Sequence, residues 1–121
     1  MNKRDKFVFD HIIRYCNEIN DANDQFGNSY DILKINSVYI NAVSMCIIQI
    51  GELVNHLSDE LKIQFNEIPW HDIKRMRNIA AHQYHKLDFN ILWETITVDI
   101  PNLKNYCEYI INNNYNSEQL S

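Results

Sequence analysis

The sequence predicts an all-α fold, and its composition and its hydrophobic pattern both indicate this class. The chain of 121 residues contains only two glycines and two prolines, so turns are few and elements are long. Apolar residues recur at steps of three and four along most of the chain, which is the spacing of one helix face. At this length we expect a single domain over residues 1–111, followed by a frayed Asn-rich tail at 112–121.

The first two helices are predicted from amphipathic spacing and capping residues. The first covers residues 3–26 and ends at Gly27. After a polar loop, Asn36 or Ser37 can cap a second helix that runs to about Leu57. Its apolar stripe covers more than half of the circumference, so we expect a helix that is central or shared with a partner subunit. Gly51 inside it costs about 1 kcal/mol relative to alanine, and close backbone packing would explain its presence.

Three further helices follow in the second half of the chain. Ser58 starts a short helix that ends before Pro69. Pro69 itself suits the first position of a helix over residues 69–82. Asp88 is the predicted N-cap of the last helical stretch. Pro101 must kink or interrupt that stretch, because proline removes a helix hydrogen bond.

Charge is distributed unevenly along the chain. The net charge of −5 argues against a protein that coats nucleic acid nonspecifically. No acid lies between Asp72 and Asp88, whereas the rest of the chain carries 7 basic and 16 acidic residues. The basic residues of this window are Lys74, Arg75, Arg77 and Lys86. The window predicts a small anion site for one or two phosphates, and a solvated basic helix face is the alternative.

The cysteines and the hydropathy pattern indicate a cytoplasmic protein. Cys16, Cys46 and Cys107 are widely spaced in apolar stretches and form no C-x-x-C pair. We therefore expect reduced core residues. The longest apolar run, around residues 45–50, is far shorter than the roughly 20 residues that span a membrane. No basic segment followed by an apolar segment opens the chain, so secretion is not expected.

The most informative segment begins at Arg77 and ends at Tyr84. Asn78 and His82 lie one turn apart on one helix face, where both can meet one ligand. Arg77 and His82 lie roughly 140° apart around an ideal helix, so they do not point at one place. Convergence requires the helix to end near His82, or a second copy of the chain to supply one of the two residues. A two-fold dimer would bring two arginines and two histidines into one cleft.

This segment, R-x4-H-x-Y, resembles the HepT-like ribonuclease toxins of the HEPN superfamily. The resemblance covers about residues 40–105 and includes Ile50-Gly51-Glu52, Pro69-Trp70, Trp93-Glu94-Thr95 and Ile100-Pro101. It implies an antiparallel bundle of four to five helices, a homodimer with a composite cleft, and metal-independent RNA cleavage without a cofactor. It also implies a type VII toxin–antitoxin system, in which the partner MntA, a minimal nucleotidyltransferase, adenylylates the motif tyrosine. That tyrosine is Tyr84 here.

The chemistry of these side chains fits RNA cleavage. An imidazole with a pKa near 6.5 can remove the ribose 2′-hydroxyl proton or protonate the leaving 5′-oxygen, which makes His82 a catalytic candidate. A guanidinium can hold a phosphate bidentately, which makes Arg77 the second candidate. Asn78 would act as an orienting or phosphate-binding amide, and Glu52 would position Arg77. Lys74, Arg75 and Lys86 form a possible RNA-contacting rim. The lack of a carboxylate cluster near them predicts no metal.

Each of these residues also has a simpler interpretation. Arg77 and Glu52 can form a structural ion pair, which is compatible with positioning. His82 can be an ordinary surface or core histidine, and Tyr84 can be a packing residue. His82, His85 and Asp88 have spacing that suggests a metal site, but no closed ligand set appears. Trp70 and Trp93 are expected in the core.

Two other functions remain open from the sequence. A noncatalytic helical module could bind a nucleotide or a nucleotidyltransferase and regulate it. A structural dimer without any site would neither cleave RNA nor bind a nucleotidyltransferase.

Overall fold

The computed structural model is all-α, as predicted. It describes the backbone of residues 1–82 and 88–120, and the side chains of residues 1–77 and 88–113. Within these ranges there is no strand. The elements are α1 (Lys3–Gln25), α2 (Tyr30–Ile35), α3 (Ser37–Val54), α4 (Asp59–Gln64), α5 (Trp70–His82), α6 (Phe89–Glu94), a π-helical segment (Thr95–Asp99) and α7 (Ile100–Leu120).

The long helices pack as a bundle in the order α5, α3, α1, α7. Helix α3 contacts both α1 and α5, and α1 also contacts α7. Tyr39 at the start of α3 donates a hydrogen bond to Asn23 near the end of α1, at 2.5 Å. At the opposite end, Asp5 near the start of α1 accepts hydrogen bonds from the backbone N–H and the hydroxyl of Ser58, just beyond α3. Helices α1 and α3 therefore run in opposite directions.

Local capping explains where the helices begin and end. The side chains of Asn36, Ser58 and Asp88 accept backbone N–H groups in the first turns of α3, α4 and α6, which leaves fewer orphan donors at those ends. Gly27 adopts a positive φ of 74° two residues after α1 ends, a conformation that glycine accepts without steric cost. These predicted boundaries are confirmed.

Two predicted boundaries are wrong. The segment expected to be a polar loop contains α2, whose N-cap Ser29 accepts the backbone N–H of Ile32 at 3.2 Å. Only Leu33 of this six-residue helix is buried, so no repeated apolar spacing marks it in the sequence. Helix α3 ends at Val54 rather than near Leu57, because the chain tightens there: the Leu57 N–H donates to the Val54 carbonyl, three residues back.

Pro101 interrupts the last helical stretch, as predicted. The preceding π segment lets the Ile100 N–H donate to the Thr95 carbonyl, five residues back. With the same five-residue spacing, the backbone N–H of residue 101 would donate to the Ile96 carbonyl, but Pro101 has no N–H. The buried side chain of Asn23 donates to that carbonyl instead, at 3.0 Å. Asn23 therefore joins α1, α3 and the interrupted helix through one polar group.

The C-terminal helix continues beyond the predicted domain limit. Helix α7 runs to Leu120, so the backbone of residues 112–120 is helical. The expectation that this end frays in solution, and the domain limit at residue 111, stay predictions.

The cysteines lie in the core, as predicted. All three are unbridged and buried. Burial raises the pKa of the Cys16 and Cys46 thiols to about 12, because a thiolate would lose its hydration there. Trp70 and Trp93 are partly buried against the core, and the Trp70 indole N–H donates to the Phe65 carbonyl at 3.1 Å.

Helix α3 is apolar because it is central. Among the described residues it is the one helix long and apolar enough, by length and composition, to cross a membrane. Half of it is buried inside the bundle, which is the arrangement of a core helix. Its remaining exposed face includes Val38 and Met45, the latter 55% exposed. The expectation of a helix that is central is confirmed, and sharing with a partner subunit stays a prediction.

Candidate active site at the contact of α3 and α5

Gly51 allows α5 to approach α3 closely at Arg77. A Cβ atom built on Gly51 would overlap the Cβ of Arg77 and lie 2.5 Å from its Cγ. Non-bonded carbon atoms need about 3.5–4.0 Å, so a larger residue cannot be accommodated without a shift. This contact supplies the reason, expected from the sequence, for a glycine in the middle of a buried helix.

The next residue of α3 holds the end of the Arg77 side chain. A terminal guanidinium nitrogen of Arg77 forms an ion pair with Glu52 Oε1. The two side chains are 29% and 43% exposed, so the pair lies at the surface of the bundle while the stem of Arg77 is packed on Gly51. A guanidinium carries five N–H donors in a planar fork, so an ion pair with Glu52 and contact with a phosphate are compatible. The structure therefore contains the ion pair that the sequence suggested.

The C-terminal end of α5 carries the rest of the motif. The described backbone of α5 reaches His82 and residues 83–87 lie outside the described residues, so the convergence of Arg77 and His82 stays a prediction. The side chains of Asn78 and His82 lie outside the described residues, as do Tyr84, His85 and Lys86 in full. Their predicted positions in the site stay predictions.

Of the other basic residues of the window, Lys74 lies one turn before Arg77 whereas Arg75 lies on a different face of α5. Lys74 and Arg75 are exposed on α5. Arg75 lines a cleft together with four carboxylates and lies roughly 200° around the helix from Arg77. The structure therefore places Arg75 on a different face from the candidate catalytic arginine. That cleft was missed in the sequence, because its acids are distant from one another along the chain.

No metal site is found in the part of the chain that the structure describes. Within it, no group of three histidine, cysteine or carboxylate side chains could hold an ion. The alternative metal set contains His82 and His85, whose side chains are outside that part.

Comparison with known proteins identifies the family. A family model described as "Ribonuclease HepT-like" matches residues 12–110, which is most of the chain. The chain belongs to the HepT-like ribonuclease family. Endoribonuclease is therefore its enzyme class, in agreement with the resemblance that the motif carries.

Named relatives agree with this assignment. "Putative RNase MJ1216" of Methanocaldococcus jannaschii is 32% identical over 113 residues, which cover 92% of this chain and 91% of the relative. "Putative RNase MJ1380" of the same organism is 27% identical over 112 residues, covering 91% of this chain and 100% of the relative. "Probable ribonuclease HepT" of Thermococcus cleftensis is 40% identical over 55 residues, 46% of this chain and 50% of the relative. No solved structure matches.

Proposed function

We propose that the protein is a metal-independent ribonuclease toxin of a type VII toxin–antitoxin system, acting in the cytoplasm. One observation carries the proposal: the stem of Arg77 is packed on Gly51 and its guanidinium is held by Glu52, in a member of a ribonuclease family. A cation fixed at both ends loses little side-chain entropy when it binds a phosphate. A solvated basic helix face would not need such anchoring.

The proposed reaction is attack of the ribose 2′-oxygen on the adjacent phosphorus. The P–O5′ bond breaks, a 2′,3′-cyclic phosphate forms, and the 5′-oxygen leaves with a proton. His82 either removes the 2′-hydroxyl proton or protonates the leaving 5′-oxygen, and water makes the other transfer. Arg77 stabilises the charge on the phosphate oxygens as phosphorus becomes five-coordinate. Asn78, one turn before His82, orients the phosphate.

A homodimer would complete this site. Val38, Ala42, Met45 and Glu52 lie within a narrow stripe of α3, since they are separated by three, four or seven residues. The first three are exposed and apolar, and the stripe ends at the residue that holds Arg77. A second copy of the chain packed on this stripe would bring its own motif next to Arg77. This arrangement supports a composite cleft, which is one of the two ways in which Arg77 and His82 could converge.

The catalytic part is tested with labelled RNA and purified protein. His82→Ala should lower the cleavage rate by about 10²–10⁴ and leave circular dichroism and molar mass unchanged. Arg77→Lys should rescue little of the loss in Arg77→Ala, because an ammonium lacks the planar fork. Addition of EDTA should have no effect. Cleavage that survives His82→Ala, or that needs added Mg²⁺, contradicts the mechanism. Tight nucleotide binding without cleavage would favour the regulatory module instead.

The dimer is tested separately from catalysis. Light scattering should give twice the 14.5 kDa chain mass at micromolar concentration. Met45→Glu should yield monomers and lose cleavage, because a charge would be buried at the interface. Lys34→Glu is the control for charge on the neighbouring helix α2 and should stay dimeric. A Met45→Glu variant that remains dimeric places the interface elsewhere.

The antitoxin part concerns Tyr84, two residues after His82 in the sequence. Attachment of AMP to its hydroxyl would introduce a phosphate that competes for Arg77 and a base that obstructs the cleft. Incubation with ATP and the cognate nucleotidyltransferase should add about 329 Da per AMP to the wild type and nothing to Tyr84→Phe. An equal gain on Tyr84→Phe assigns the modification to another residue.

A further inference from the structure

A second surface of the molecule lies on the other side of α5 from Arg77. A cleft of about 480 Å³ separates the first half of α5 from α6, the π segment and the start of α7. An adjoining hollow of about 470 Å³ shares three lining residues with it and continues along α7 to Tyr109. We call the two together the acidic groove.

The groove carries an excess of negative charge. Among the described lining residues, four carboxylates face one cation, Arg75; the carboxylates are Glu67, Asp72, Glu94 and Asp99. Burial and the charges of Glu94 and Asp72 raise the pKa of Asp99, so these carboxylates repel each other in the folded protein. An RNA strand would meet the same repulsion, and this surface is unsuited to the proposed substrate.

The groove also presents apolar surface to water. The buried core residues Ile73 and Leu103 and the partly exposed Met76 line its inner side. Ile91 at one end and Tyr109 at the other are 47% and 63% exposed. Covering such side chains is favourable by about 25 cal/mol per Å² of apolar area. A ligand that uses the whole groove therefore needs apolar groups as well as positive charge.

The arrangement of the carboxylates selects the type of ligand. Among the described residues, no three of them could hold one metal ion. Spaced positive charges on an apolar scaffold fit this pattern, as on a helix with Leu-type residues on one face and Lys or Arg on its flanks. A simple polyamine offers the charges without the side chains that would cover Ile91 and Tyr109.

We propose that the acidic groove is a docking surface for a basic amphipathic segment of a partner protein. Charge complementarity and the exposed apolar side chains within one groove carry this inference. It does not depend on RNA cleavage. Since Arg75 and Arg77 lie on different faces of α5, a segment in the groove leaves the Arg77 face accessible.

The test uses a fluorescein-labelled synthetic helix of 15 residues, with Leu on one face and Lys on the rest, and measures fluorescence anisotropy. Glu94→Gln/Asp99→Asn should lower its affinity about five- to tenfold, as expected for two partly exposed ion pairs. Asp59→Asn/Glu60→Gln is the matched control. It removes the same charge from α4, outside the groove, and should change the affinity less than twofold. A peptide with Glu in place of Lys should not bind.

Other outcomes overturn the proposal. Equal weakening in both double variants would show unspecific attraction to an acidic protein. Unchanged affinity in Ile91→Ser/Tyr109→Ser, or full competition by an equivalent concentration of spermine, would show that the apolar part plays no role. A change of molar mass in Glu94→Gln/Asp99→Asn would make the groove an interface between copies of this chain. Removing mutually repelling charges should not unfold the protein, and circular dichroism checks this.

Discussion

Replacement of Gly51 by alanine perturbs Arg77 without touching its charge. The added Cβ would lie 2.5 Å from the Arg77 Cγ, against 3.4–4 Å for an ordinary contact. The helices or the arginine stem must therefore separate by about 1 Å. Glu52 lies on the same helix as the new methyl group, so a shift of Arg77 also disturbs the ion pair.

The expected effect on stability is small, because two contributions oppose each other. Overpacking in a tight contact costs about 1–3 kcal/mol, whereas alanine is better than glycine inside a helix by about 1 kcal/mol. The net loss is about 0–2 kcal/mol. For a domain of this size, that lowers Tm by less than about 10 °C.

The expected effect on RNA cleavage is larger. A misplacement of about 1 Å can cost about 10²-fold in rate when the displaced group must meet a transition state, so Gly51→Ala should lose roughly 10- to 100-fold. Ile47→Val, in the core of the same helix, is the control: it costs about 0.5–1.5 kcal/mol and should retain cleavage. Arg77→Gly removes the side chain that clashes. In that background, Gly51→Ala should therefore stabilise the protein, because alanine has the higher helix propensity. If Gly51→Ala were destabilised but cleaved RNA at the wild-type rate, the position of Arg77 would not matter for cleavage and the reasoning would be refuted. A variant stabilised by the full 1 kcal/mol would refute the close contact itself.

Three further predictions concern the fold. Asn23→Ala should lower the free energy of unfolding, measured in urea, by about 2–4 kcal/mol, because two buried hydrogen bonds disappear. The exposed Asn17→Ala is the control. An equal loss in both variants would show that another donor serves the Ile96 carbonyl. The raised pKa of Asp99 means that the folded state binds its proton more tightly than the unfolded chain. Asp99→Asn should therefore raise Tm at pH 7, with a gain that shrinks towards the ordinary aspartate value of 3.8; a gain independent of pH would contradict this. The three buried thiols should react with iodoacetamide at pH 8 only after unfolding, as mass spectrometry would show; modification of the folded protein would contradict the burial.

The sequence predicts features whose causes are local. A cap needs one polar side chain and the next few N–H groups, so Asn36, Ser58 and Asp88 identify helix starts without any tertiary information. Pro101 likewise interrupts a helix wherever it occurs. Helix α2 escapes prediction because its six residues bury only Leu33, and a single apolar residue has no period.

Features that depend on distant contacts are predicted only in part. Gly51 is visible as an anomaly in its helix, and Glu52 is a reasonable partner for Arg77. The overlap that makes the glycine necessary comes from a residue 26 positions away, on α5. The acidic groove could not be found, since Asp72 on α5 and Asp99 in the π segment line one cleft only in the folded chain. The raised pKa of Asp99, which results from burial and from the charges of Glu94 and Asp72, is likewise a property of the fold.

Helix α5 has two chemically opposite sides, and this division has a functional consequence. One side packs on α3 and presents Arg77, a cation suited to a phosphate. The other side borders a groove rich in carboxylates, from which Arg75 alone among the described lining residues offers a positive charge. An RNA strand approaching the molecule is attracted to the first side and repelled from the second. A basic partner segment experiences the reverse, so substrate and partner would sort to different faces of one helix without competing for the same charge.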